Sequence, residues 1–217
     1  MTKRTPSVVR RPLSREAVLA AALDLVDREG LGALSMRKLG AELGVEAMSL
    51  YNHIPNKSAL LDGLIERVVG ELQPPDPNKG WTEQARQMAR SYRKMAISHP
   101  HVVALIATRP FNTIAALDPL ERALRLLRSA GFDQPSALHA FRTLVSFATG
   151  YTLAETEGFF GEHVPTDAEE VLQPKDLDPD RFPYLIEMIP TIVACDHDEE
   201  FEFALDVIIE GLRSKLS

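Results

Sequence analysis

SMRKLGAELGVEAMSLYNHIPNKSALLD, residues 35–62, holds two short apolar-periodic runs on either side of Gly44-Val45. Leu39 and Leu43 share one helical face in the first run, Leu50 and Ile54 in the second. Neither run reaches the dozen or so residues that an isolated helix needs in water, so each must be held by neighbours. Core packing does not explain the polar row Tyr51-Asn52-His53 on the second run. The small residue Gly40 lets two helices approach, Gly44 makes a turn between them, and Leu39, Leu43, Val45, Leu50 and Ile54 glue the pair to a third helix. That is the spacing of a helix-turn-helix, whose second helix has an outer face free to enter a DNA major groove.

Outward from this stretch the text stays helical. Ser14 caps a helix with Leu19, Ala22, Leu23 and Val26 on one face, and Gly30 stops it. Ser35 caps the next run, which ends at Gly44. A third helix spans about Ala47 to His53, ended by Pro55. Asn56 caps a fourth from Lys57 to Leu72, and PPDPNKG at 74–80 is the clearest breaker. Beyond it the pattern predicts helices over 81–98, 101–109, 119–130, 135–157 and 198–216. The acidic, Pro-rich text from Gly158 to about Asp180 reads as a mobile loop. No segment alternates with period two, so the fold class is all-α.

Composition narrows the function classes. No run of eighteen apolar residues occurs, so no membrane span is expected, and the basic N-terminus lacks the apolar core of a secretory signal. The lone Cys195 allows no internal disulfide and points to a reducing cytoplasm. Net charge is −7 but unevenly spread. From residue 73 onward 14 Lys and Arg face 22 Asp and Glu, a net of −8, leaving +1 for residues 1–72. A near-neutral head on an acidic body suits a chain that meets a polyanion at one end, although a solvated tail explains the basic residues as well.

The run LSREAVLAAALDLVDREGLGALSMRKLGAELGVEAMSLYNHIPNKSALLDGL resembles the DNA-binding head of the TetR family of bacterial repressors. The marks are the capped first helix, Gly30 and Leu34 ahead of Ser35-Met36-Arg37-Lys38-Leu39, then LGV, then LYNHIPNKSALL. IATRP at 106–110 brings the chain close to the tetracycline-repressor branch. The resemblance implies an N-terminal three-helix helix-turn-helix module plus a larger C-terminal helical domain for ligand binding and dimerisation. The expected division is a basic flexible arm (1–12), a DNA-binding domain (13–73) and a ligand-binding and dimerisation domain (74–217).

By position in that pattern, Ala47, Met48 and Ser49 face base edges and Asn52 pairs with adenine. Tyr51, His53 and Lys57 reach phosphates, and Arg37 with the Ser35 hydroxyl holds the opposite flank. Backbone contacts of this kind set register rather than sequence. From the residues alone, Tyr51 also suits a core aromatic, Met48 exposed filler and Lys57 a solvated lysine. Arg10 and Arg11 are the minor-groove candidates of the arm, which suits an uninvolved tail equally.

For the body the resemblance implies a homodimer and an enclosed inducer. Two recognition helices about 34 Å apart read a palindrome, where one reads only a few bases. The helices over 135–157 and 198–216 are the natural dimer faces, although their apolar stripes also suit the core of a single subunit. Met88, Tyr92, Met95, Leu105, Thr108, Phe111, Phe141, Phe147 and Tyr151 are the candidates for a mostly apolar pocket. Each of the aromatics and methionines also suits plain core. Where the tetracycline repressor places a magnesium-binding histidine, three residues before Thr-Arg-Pro, this chain has Leu105, which cannot ligate a metal. Met88 and Gln73 likewise replace its drug-facing Asn and His. A magnesium–tetracycline inducer is therefore not expected, and neither a cofactor nor a metal is assigned. Thr108, Arg109 and Pro110 keep the role of coupling pocket to head.

Two other function classes compete. An enzyme needs a nucleophilic triad, a phosphate loop or metal-ligand spacing, and none is present. The cluster CDHDEEFE at 195–202 has spacings that do not converge on one ion, and the pair His99 and His101 offers no better site. A protein-binding adaptor is the third class. The expectation is a sequence-specific DNA-binding regulator that represses until a small molecule releases it.

Overall fold

In the computed structural model, which describes residues 13–110, 112–156, 177–194 and 196–216, the chain forms ten α-helices and no strand among the described residues. They are α1 (Arg15–Glu29), α2 (Met36–Leu43), α3 (Ala47–Leu50), α4 (Lys57–Val69), α5 (Trp81–Ser98), α6 (Pro100–Thr108), α7 (Ile114–Ser129), α8 (Gln134–Thr156), α9 (Pro183–Val193) and α10 (His197–Arg213). A short 3-10 turn, Leu31–Ala33, follows α1. No helix among the described residues is long and apolar enough to cross a membrane.

The capping residues do what their chemistry suggests. The Ser14 hydroxyl accepts from the Ala17 N–H at 3.2 Å, Ser35 from Lys38 at 3.2 Å and Asn56 from Ala59 at 2.8 Å. Gly30 ends α1 at φ 77°. Gly44 ends α2 in the left-handed region at φ 65°, a conformation open to glycine at little cost.

Several boundaries differ from the sequence expectation. Helical geometry in α3 closes at Leu50, and Tyr51 to His53 wind on as a tight turn. There the N–H groups of His53 and Ile54 both reach the Leu50 carbonyl, at 2.9 Å each. The fourth helix closes at Val69 rather than Leu72. The seventh begins at Ile114, because Thr113 caps it through Ala116, and Pro119 lies inside it. The last helix runs from His197 to Arg213 rather than 198–216. Helix α9 was not expected at all; Pro183 opens it and Pro190 lies within it, so its text reads as broken. The basic arm with Arg10 and Arg11, most of the expected loop, Phe111 and Cys195 lie outside the described residues.

The main core ties head to body. Val18, Leu23, Leu39, Leu50, Ile54 and Leu64 pack in one cluster with Met95, Ala96, Val102 and Val103 from beyond the Pro-rich breaker. Leu39 and Leu50 are fully buried, each contributing about 1.5–3 kcal/mol. Helix α4 packs on α1 within the head and on α6 and α7 within the body. Helix α8 is the centre of the body, packed on α5, α6, α7 and α10.

A ladder of ion pairs fastens α5 to α10. Arg86, Arg90 and Arg93 share one face of α5, and they meet Asp206, Glu202 and Asp198 in reverse order, at 2.9, 2.6 and 2.6 Å. Arg93 also grips Glu155 of α8 and lies over the Phe201 ring, 5.0 Å from its centroid. Asp196 caps α10 by accepting from the N–H groups of Asp198 and Glu199. Asp196, Asp198 and Glu202 of the 195–202 stretch thus serve helix capping and packing.

Candidate functional site

The head presents a small polar face. Gly40 is required where α2 meets α3: a Cβ there would lie 2.9 Å from the Val45 carbonyl oxygen and 3.1 Å from the Ala47 nitrogen. Leu50 and Ile54 turn inward and are buried, which leaves the other side of α3 and its following turn to solvent. Met48 is 72% exposed and Tyr51 41% exposed, so Tyr51 is not a core aromatic. Asn52 and Lys57 are exposed, and Ala47, Ser49 and His53 are half-buried. Ser35 and Arg37, both exposed, occupy the start of α2, the Ser35 hydroxyl being engaged as its cap.

Ion pairing separates the cations of this face. Lys38 is held by Glu29, and Arg28 by Glu42 at 2.5 Å. Arg37 and Lys57 have no ion-pair partner among the described residues. Among the described residues of this face they are the two cations left without a carboxylate. Sequence spacing could not tell these pairs of basic residues apart, because the acids that distinguish them come from α1 and the far side of α2.

The body encloses a cavity of about 570 Å³ between α4, α5, α6, α7 and α8, within the range for drug-sized ligands. Met88, Tyr92 and Phe141 line it, with Val69, Leu72 and Gln73 from the end of α4 and just beyond. The walls are mainly aliphatic, and their polar atoms come from Gln73, Ser91, Tyr92, Ser146, Thr149 and Arg122. The Tyr92 hydroxyl bonds the Thr149 hydroxyl at 2.8 Å. Burial pushes the Tyr92 phenol above its ordinary pKa, while the Thr149 bond pulls the other way, and the phenol stays neutral.

The remaining pocket candidates lie elsewhere. Met95 is buried in the core shared with the head. Leu105 packs with Ile65, Val69 and Ala116 behind the wall. The Thr108 hydroxyl bonds back to the Ala104 and Leu105 carbonyls of its own helix. Phe147 and Tyr151 pack on Phe201, with ring centroids 5.1 and 5.3 Å away, because α10 covers that side of α8. Aromatics draw attention in a sequence, yet much of this wall is Leu, Ala and Val, most of them supplied by α7 and α8.

Two polar ties join the cavity's helices to the head. Arg109, just after α6, donates to Ser58 at 3.0 Å and Asp62 at 2.9 Å, both in the first turns of α4. His99, between α5 and α6, lies 2.8 Å from Asp27 of α1 and 3.2 Å from Glu71 beyond α4.

Known proteins agree with this layout. Residues 18–64 match the family described as bacterial regulatory proteins, tetR family, and residues 74–216 match the tetracyclin repressor-like C-terminal domain. The chain belongs to the TetR family. It is 31% identical to the HTH-type transcriptional repressor DrrR1 of Streptomyces coeruleorubidus, over 97% of this chain and 82% of that protein. It is 32% identical to the class A tetracycline repressor of Escherichia coli, over 94% and 92%. The structure of the TetR family protein ActR of Streptomyces coelicolor in complex with actinorhodin superposes with a TM-score of 0.78 at 32% identity, covering 95% of this chain and 100% of that one. A TetR-family chain of this architecture is a DNA-binding transcriptional regulator and not an enzyme.

Proposed function

We propose that the protein is a homodimeric repressor that binds a palindromic operator through α3 and leaves it when a small molecule fills the cavity. The observation that carries this reading is the reach of α4. Its first residue, Lys57, belongs to the exposed polar face of the head, and its last, Val69, lines the cavity. Thirteen residues of helix span about 20 Å. A ligand that displaces the Val69 end therefore tilts the Lys57 end. The Arg109 bonds to Ser58 and Asp62 make α6 follow the same motion.

In this reading Ala47, Met48, Ser49 and Asn52 read bases. Ser35, Arg37, Tyr51, His53 and Lys57 hold phosphates, and residues 13–73 and 74–217 act as DNA-binding and ligand-binding units. The second subunit covers α8 and α10, where Leu138, Phe203 and Val207 are exposed, the last two at 73% and 59%. Desolvating such side chains is the main force in subunit association. The DNA target places the protein in the cytoplasm. Repressor names among the relatives, and the ligand complexes of ActR, support the same assignment.

The test is a mobility shift on DNA upstream of its own gene at moderate salt with non-specific competitor. Selective binding is expected, with affinity falling steeply as salt rises. Binding that ignores sequence would sink the proposal. Phe203→Glu checks the assembly: light scattering should show monomers, and operator affinity should collapse with them.

A further inference from the structure

The cavity's charge content points to the class of molecule it takes. Among the described residues its lining holds no Asp, Glu, His or Lys, and a single Arg. That residue, Arg122, is exposed on α7 at the rim. It has no ion-pair or hydrogen-bond partner among the described residues. Its situation contrasts with the arginines around it. Arg86, Arg90, Arg93 and Arg109 each hold a carboxylate of another segment. Arg125, three residues further along the same helix, takes Glu121. Asp118, one turn before Arg122, does not bridge to it. A guanidinium beside an apolar cavity offers a planar fork of donors for an oxygen anion, and the low-dielectric wall strengthens that attraction.

We infer that the cavity binds an amphipathic anion: a bulky apolar body within the walls and one acidic oxygen group, carboxylate or sulfonate, at the rim against Arg122. The Tyr92–Thr149 hydroxyl pair then meets a hydroxyl or carbonyl of the body. A cationic ligand is disfavoured, because no described lining side chain neutralises it. This inference rests on the cavity being the inducer site and adds the sign of the inducer's charge.

A matched pair of fluorescent probes tests it. Anilinonaphthalene sulfonate and N-phenylnaphthylamine share an aromatic frame, and only the first carries an anion. The intact protein should bind the sulfonate roughly fivefold to tenfold more tightly than the neutral amine, an advantage that shrinks with salt. Arg122→Gln should remove the advantage, and Arg122→Glu should reverse it, while the neutral amine binds all three proteins alike. Gly150→Trp adds bulk from a cavity-lining position where a Cβ meets nothing within 4 Å, and it should weaken both probes together. Equal binding of the two probes to the intact protein, or an advantage that survives Arg122→Gln, overturns the anion inference and leaves the cavity reading intact. Binding of neither probe, or of both unaltered by Gly150→Trp, overturns the cavity reading and the inference with it.

Discussion

Arg37 and Lys57 look no different in the sequence from Arg28 and Lys38. All four are basic residues in a capped helical text, and only the fold shows which are bound to acids. Those without a partner are the ones to weigh at the operator. Lys57→Ala is expected to weaken binding about equally for every DNA sequence and to lower the salt slope by about one, read by fluorescence anisotropy across salt. Asn52→Ala is expected to change which base is preferred at one position, read by selection from a randomised operator. Equal behaviour of the two variants would contradict the division between phosphate and base contacts. The residues of the head were legible because glycine and capping chemistry act locally: Gly40, Gly44, Ser35 and Asn56 each announce their geometry. The cavity wall was not, because a Leu or Ala in a wall is the same letter as one in a core.

At the scale of elements, α2 meets the turn into α3 so closely that Gly40 leaves no room for a side chain. Gly40→Val pushes a Cβ against the Val45 carbonyl and must spread the two helices. The expected cost is roughly 1–3 kcal/mol in urea unfolding, with loss of operator binding out of proportion to it. Helix α8 has an acid-sensitive start. The Asp133 carboxylate accepts from the side chain and the backbone N–H of Ser136, and these bonds hold its pKa below the ordinary range. A lowered folded value means the contribution is complete above the unfolded value, near pH 4, and lost as pH falls through the folded one. Asp133→Asn keeps a cap but cannot titrate, so its melting temperature should fall less than that of the parent between about pH 4 and pH 2. Sequence periodicity found α1, α2, α5 and α8 because each has a continuous apolar face. It lost the start of α7 and all of α9, because Pro119, Pro183 and Pro190 punctuate text that packing nevertheless keeps helical.

Across the whole molecule, the tie between Arg109 and α4 decides whether cavity and head move as one. Asp62→Asn removes the charge that Arg109 holds at 2.9 Å. The variant is expected to bind a cavity ligand as tightly as the parent, by calorimetry, while needing about tenfold more of it to leave the operator. Release at the parental concentration would show that the coupling runs by another route. The shared core of Leu64 and Val68 with Met95, Val102 and Val103 could not be read from the sequence. The breaker at 74–80 suggests two bodies, whereas long-range packing joins them.

The pairing of Lys38 with Glu29 and of Arg28 with Glu42 has a consequence for the search along a chromosome. Each acid cancels a positive charge that would otherwise detain the head on arbitrary duplex. With few uncommitted cations among the described residues of the head, its hold on random sequence is expected to be weak. Occupancy of the target then depends on the right bases being present, and a modest number of molecules suffices to keep a single promoter silent.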